Sequence, residues 1–152
     1  MIFRRTVTAP HSAHRVFAYL SDFTTTTEWD PGTVCTVRTS GDGGLGSEYL
    51  NTSRFAGRET QLTYVVTELV PNRRIVLRGE NKTVIANATM TFQATSDGTE
   101  VTYSAEFTFK GVTRLIAPML RPAFIRIGDA ARDGMAAALT QLPSTQMRKA
   151  RA

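Results

Sequence analysis

The segment 118–142 constrains this chain more than any other. At about 100° per residue, Leu120, Phe124, Ile127, Ala131, Met135, Ala138 and Leu142 fall within an arc of about 80°, with Arg126, Asp129, Arg132, Asp133 and Thr140 outside it. The spacing predicts one amphipathic helix. From Pro122 onward, at about 1.5 Å per residue, it would run roughly 31 Å, the width of a small domain. Pro122 would clash with the carbonyl of Pro118 inside a continuous helix, so a kink or a helix start is expected there. An apolar stripe of this length has to be covered. Nearly everything upstream reads as strand, so the helix is expected to lie across a sheet.

Residues 2–8 have strand character, broken by Ala9-Pro10. Ser12 can then cap a helix over 11–20 that carries Val16, Phe17 and Leu20 on one face. Asp22 can cap a second, shorter helical piece ending near Trp29, where Asp30-Pro31-Gly32 is a stop. From Thr33 the period becomes two. Strands are expected over 34–40, 46–54, 59–70, 73–79, 84–95 and 100–110, separated by short turns rich in Gly, Asn, Asp and Pro that favour antiparallel neighbours. Val101, Tyr103, Ala105, Phe107 and Phe109 share one face. So do Val84, Ala86, Ala88, Met90 and Phe92, and likewise Leu62, Tyr64 and Val66. The opposite faces are threonine-rich and suited to water.

With 41% hydrophobic and 20% charged residues in 152, the composition fits one globular domain over 1–143, followed by a basic tail over 144–152 that is expected to be disordered. Arg148, Lys149 and Arg151 in that tail account for much of the net charge of +5. No basic run elsewhere is interleaved with aromatics, so no nucleic-acid partner is expected. Cys35 is alone, which excludes an internal disulfide and a cysteine-based metal site within one chain. The first ten residues alternate and lack the apolar core of a signal peptide, and no window approaches about 18 uninterrupted apolar residues. A soluble cytoplasmic protein without a transmembrane segment is expected.

The stretch Ala9-Pro10, Val16-Phe17-Ala18-Tyr19-Leu20, Asp22-Phe23 and Trp29-Asp30-Pro31-Gly32 resembles the opening of the START-like superfamily, the polyketide cyclase/dehydrase and lipid-transport group also called Bet v 1-like or SRPBCC. Gly46-Ser47-Glu48-Tyr49, Tyr64-Val65-Val66-Thr67-Glu68, Pro71-Asn72-Arg73-Arg74-Ile75-Val76 and Asp97-Gly98-Thr99-Glu100-Val101-Thr102 resemble its later strands, in the right order and over nearly the whole chain. The resemblance implies an α+β helix-grip fold: a curved antiparallel sheet of about seven strands wrapped around the C-terminal helix, two short helices after the first strand, and a cavity between sheet and helix. The periodicity gives the same element order independently.

A curved sheet and a single helix meet imperfectly, so the gap is either filled by side chains or left open. Ala131, Gly134 and Ala138 on the helix, with Ala86, Ala88 and Ala105 on the strands, are expected to remove bulk there. Met90, Phe92, Phe107, Phe109 and Phe124 supply walls. Candidate ligand-binding residues are Tyr49, Asn51, Tyr64, Val66, Ala88, Met90, Phe92, Tyr103, Ala105, Phe107, Phe124, Ile127, Ala131 and Met135. Glu68 shares the parity of Leu62, Tyr64 and Val66, which would turn it inward. With Tyr64 and Tyr103 it is a weak candidate for proton transfer, the alternative being a strand-end ion pair with Arg73 or Arg74. His11 and His14 have a spacing two metal ligands could use, but no partner ligands are legible, and surface positions are expected. Trp29 is expected to anchor the short helix, and Asp30 to serve the turn. No cofactor is expected. The favoured reading is a carrier of a lipid, polyketide or isoprenoid-like molecule. The alternatives are a polyketide cyclase or dehydratase, and a regulatory module with a protein partner or a homodimeric state. The proline-punctuated segment 112–121 is expected to form a movable entrance.

Overall fold

The computed structural model describes residues 1–55 and 57–143; the predicted tail lies outside the described residues. The chain opens with β1 (Ile2–Ala9), α1 (Ala13–Leu20), a 3-10 turn (Phe23–Thr25) and α2 (Thr26–Trp29). Ser12 caps α1 by accepting from the Arg15 amide, and Asp22 caps the 3-10 turn by accepting from the Thr24 amide. Six strands follow: β2 (Thr33–Ser40), β3 (Glu48–Phe55), β4 (Arg58–Val70), β5 (Arg74–Glu80), β6 (Val84–Thr95) and β7 (Gly98–Phe109). All pairs are antiparallel, in the order β1-β7-β6-β5-β4-β3-β2. The chain then turns through α3 (Thr113–Ile116) and a second 3-10 turn (Ala117–Leu120) into α4 (Arg121–Thr140). Pro122 sits in the first turn of α4, where its missing donor costs nothing, so the two prolines break the predicted rod at the place expected. This is the helix-grip, Bet v 1-like architecture.

The strand alternation holds through most of the sheet. Leu62, Val66, Ala86, Ala88, Met90, Phe92, Val101 and Ala105 are all buried on the face that meets α4. It fails at Glu68. β4 pairs Val66 with Leu77 and then Glu68 with Val76, so two residues of β4 advance against one of β5. This bulge reverses the parity. Leu69 packs on the core, while Glu68 turns to solvent and accepts from Arg74 Nε at 3.0 Å. A carboxylate so placed is a surface ion pair and cannot serve an interior site.

The helix stripe also differs from expectation. The most buried line of α4 is Phe124, Gly128, Ala131, Met135 and Leu139, while Ile127 and Ala138 are half-buried. The rotation follows from what α4 touches, which includes β1 and α2 as well as the sheet face. A Cβ at Gly128 would stand 3.0 Å from the Phe3 ring, and one at Gly134 would stand 1.9 Å from the Trp29 carbonyl oxygen. Glycine is required at Gly134 for the helix backbone to close on α2. Arg5, on the inner face of edge strand β1, donates from Nε to Asp129 Oδ1 at 2.9 Å and secures the same side.

Candidate functional site

Between the sheet and the N-terminal half of α4 lies a cavity of about 440 Å³, within the range of small-molecule sites. Its outer half is built from rings. Phe124 on α4 faces Phe55 of β3 at 4.9 Å and Phe107 and Phe109 of β7 at 4.8 and 5.6 Å between centroids. Deeper in, Phe3 lies 5.8 Å from Tyr103, and Phe23 lies 4.9 Å from Tyr64. Each ring arrives there because a period-two strand or a helix turn puts it on the inner face.

Among the polar side chains that enter this wall are three acids, Tyr64, Tyr103 and Asp30. Tyr64 pairs in register with Gly79, and a Cβ at that glycine would come within 2.6 Å of the Tyr64 ring. The tyrosine therefore lies across the neighbouring strand instead of standing upright. Tyr103 sits edge-on to Trp29 at 5.5 Å. Neither hydroxyl has a hydrogen-bond partner among the described residues. Burial pushes both well above the usual tyrosine value, and the negative charge of Asp30 adds to the effect. Both are fixed as protonated donors. Asp30 ends α2 and lines the cavity, its Oδ1 accepting from the Gly32 amide and its Oδ2 from Thr33 Oγ1, each at 3.0 Å. Burial raises its carboxyl above the usual carboxylate value against the pull of those two hydrogen bonds. A fourth polar group, Asn51, is committed to structure. Its Nδ2 donates to Thr36 Oγ1 at 2.7 Å and its Oδ1 accepts from Ser53, in a buried chain that continues to Thr26 on α2.

The cavity opens where the β3–β4 hairpin, the β5–β6 turn and the α3 segment converge. Exposed Arg54, Arg58 and Thr83 meet Thr113, Ile116 and Leu120 there. Thr113 Oγ1 donates to the Thr83 carbonyl at 3.1 Å, and Lys110 Nζ donates to the Asn81 carbonyl at 3.0 Å and to Glu80, so the base of α3 is tied to the β5–β6 turn.

Of the residues picked from sequence, the structure places Asn51, Tyr64, Tyr103, Phe107, Phe124, Ile127 and Ala131 on the cavity wall. It places Tyr49, Val66, Ala88, Met90, Phe92, Ala105 and Met135 off that wall, buried in the packed interior. Of the alanines predicted to open the space, Ala131 lines it, whereas Ala86, Ala88, Ala105 and Ala138 lie off its wall. Trp29 is 1% exposed and packs as an anchor. His14 is exposed, whereas His11 is half-buried and its carbonyl accepts from Thr99. Asp30 serves its turn as expected but also faces the cavity, a role the turn signal concealed. Phe55 was missed although it continues the parity of Tyr49 and Asn51 along β3. The outer rim could not be read because it joins three loops distant in sequence.

Structures of known proteins share this fold. The Zhui aromatase/cyclase from a Streptomyces species superposes with a TM-score of 0.77 at 17% identity, covering 91% of this chain and 93% of that one. A START superfamily protein from Mycobacterium smegmatis gives 0.77 at 15% identity over 93% and 99% of the two chains. The di-domain aromatase/cyclase StfQ of the steffimycin biosynthetic pathway gives 0.68 at 16% identity over 90% of this chain and 49% of that one. No curated protein sequence is similar enough to count as a match. The family model described as polyketide cyclase / dehydrase and lipid transport matches residues 1–140. With nearly the whole length of its fold accounted for by that match, the chain belongs to the polyketide cyclase/dehydrase and lipid transport family.

Proposed function

We propose that this protein binds a hydrophobic, ring-bearing small molecule that carries a hydroxyl or carbonyl group at its leading end. The observation that carries the reading is a 440 Å³ space whose wall is aromatic at the outside and ends inside on two unpartnered tyrosine hydroxyls beside a buried carboxyl. The rings favour flat apolar bodies, and unpartnered donors in a dry wall gain most from an acceptor on the guest. The test is native mass spectrometry of protein purified from its own host, together with displacement of a fluorescent naphthalene probe. A bound apolar molecule is expected, with tenfold or so weaker retention in the Tyr64→Phe/Tyr103→Phe variant. Protein that carries no adduct and takes up no probe overturns the reading.

A second reading is favoured by Asp30. It is a buried carboxyl poised above its usual value, and two protonated tyrosines share its cavity, which supplies a proton acceptor and two donors for cyclisation or dehydration of a poly-β-ketone. Glu68 drops out of this scheme because it faces solvent. Turnover of such a probe that is unchanged in Asp30→Asn removes the enzymatic reading and leaves the binding one in place.

A further inference from the structure

The segment that closes the cavity mouth has two faces. Ile116 and Leu120 line the cavity, while Val112, Leu115 and Met119 point away from it at 80%, 80% and 79% exposure. Single exposed apolar residues are ordinary, but three at one tip, beside the opening of an apolar cavity, form a patch that water does not favour. Charge surrounds this tip in one sign. Between Glu106 and Asp129 the chain carries no acidic residue, and Lys110, Arg114, Arg121 and Arg126 lie in that interval. Across the mouth stand Arg58 and Lys82, both exposed. Among the described residues Arg58, Lys82, Arg114 and Arg121 make no ion pair. The two nearby acids, Glu59 and Glu80, are taken up by Arg54 and by Lys110 with Arg78.

We infer that the α3 tip is a docking surface for an anionic phospholipid bilayer: Val112, Leu115 and Met119 enter the interfacial zone and the ring of unpaired Arg and Lys meets the headgroups. An apolar wedge inside a cationic collar is complementary to a charged interface with hydrocarbon beneath it, and a neutral partner surface would leave four cations unanswered. Docking there would bring the cavity mouth against the membrane, so that an apolar guest passes between bilayer and protein without crossing water. The inference stands apart from cavity occupancy, because vesicle binding is read without any ligand.

The experiment is co-sedimentation of the full chain with vesicles of phosphatidylcholine alone and of phosphatidylcholine with phosphatidylserine. Binding is expected to be about tenfold or more stronger on the anionic vesicles and to weaken as salt is raised beyond physiological strength. The Leu115→Asp/Met119→Asp variant should keep its circular dichroism spectrum, since both side chains lie outside the core, and lose vesicle binding. A Leu115→Trp variant should shift its emission to the blue on anionic vesicles. Equal binding to both compositions overturns the inference. So does undiminished binding by the double variant, which retains the tail residues Arg148, Lys149 and Arg151 and would then owe its affinity to them. A concentration-dependent dimer that the double substitution abolishes, with no vesicle bound, assigns the tip to a second copy and likewise overturns it.

Discussion

The two ends of the space beneath the sheet share the long helix α4 and come out opposite. At the closed end Val16, Leu20, Trp29, Met90, Met135 and Leu139 are between 0% and 1% exposed, and Gly134 lets α4 sit directly against the Trp29 carbonyl. Branched and flexible side chains interdigitate there to crystal-like density. At the open end the wall is made of phenylalanines, yet space remains between them. Three phenylalanine rings, rigid and flat, stand around Phe124 with centroids 4.8 to 5.6 Å from it and cannot bend into the gap they enclose. The cavity therefore lies where rigid rings meet one another. Ala88 and Ala105, register partners in the middle of the sheet, lie off its wall.

If that contrast is right, substitutions at the two ends should differ sharply. The largest effect is expected from Gly134→Val: the new Cβ would fall 1.9 Å from a backbone oxygen that has no room to retreat. A loss of roughly 4 kcal/mol or more, or failure to fold, should appear in urea melts. Met135→Ala should cost about 2–5 kcal/mol through the void it leaves in a filled region. Ile127→Ala, which only enlarges an existing space, should cost less than about 1.5 kcal/mol. The sharper comparison is Ile127→Phe, which should be nearly neutral in the melt while blocking uptake of an apolar probe. Equal destabilisation by Met135→Ala and Ile127→Ala would mean that both ends are packed alike.

This contrast also explains what could be read from sequence. The strand bounds, the turn positions, the short helices and the break at Pro118 and Pro122 are local signals, and each appears within a residue or two of its expected place. Inner and outer faces were legible wherever the period of two ran unbroken. They were lost at Glu68, because a bulge leaves no mark in a run of strand formers. The helix stripe came out rotated because Gly128 and Gly134 look like gaps in an apolar face, although they are its closest contacts. The wall of the cavity was half legible. Size suggested the alanines, of which Ala131 lines the space, and the walls of Phe107, Phe109 and Phe124, which also line it; the meeting of three distant loops at the rim left no local signal.

The polar floor offers a pH test. Burial holds the folded Asp30 carboxyl above its unfolded value of 3.8, so the fold favours the protonated form. The stability this contributes is complete below about pH 3.8 and is lost as pH rises through the folded value. Asp30→Asn has no proton to lose and keeps an amide oxygen to accept from Gly32. Its melting temperature relative to the parent should therefore climb as pH rises above about 4, through the folded value, and be flat below that. A difference that is constant over the whole range would place Asp30 in a wet environment and remove the dry floor from the description.

The smallest effect concerns the entrance. Glu80 accepts from Lys110 and from Arg78, which holds its carboxyl below the usual value. The stabilisation from this tie is present above the unfolded value of 4.5 and fades as pH falls through the folded one. The groups are half-exposed and the pair is screened by water, so Glu80→Gln should leave the global melt nearly unchanged. What it should change is local. Lys110 fixes the base of α3 to the β5–β6 turn, and beyond it the Thr113–Thr83 hydrogen bond and the buried Ala117 secure, among the described residues, a segment whose other apolar side chains mostly face outward. Amide exchange over 113–120 should accelerate in Glu80→Gln at neutral pH while 131–139 stays as protected as in the parent. The parent's own exchange over 113–120 should already exceed that of the closed end. Protection of the two stretches to the same degree would show that the mouth and the core open as one unit, and the entrance would have no movement of its own.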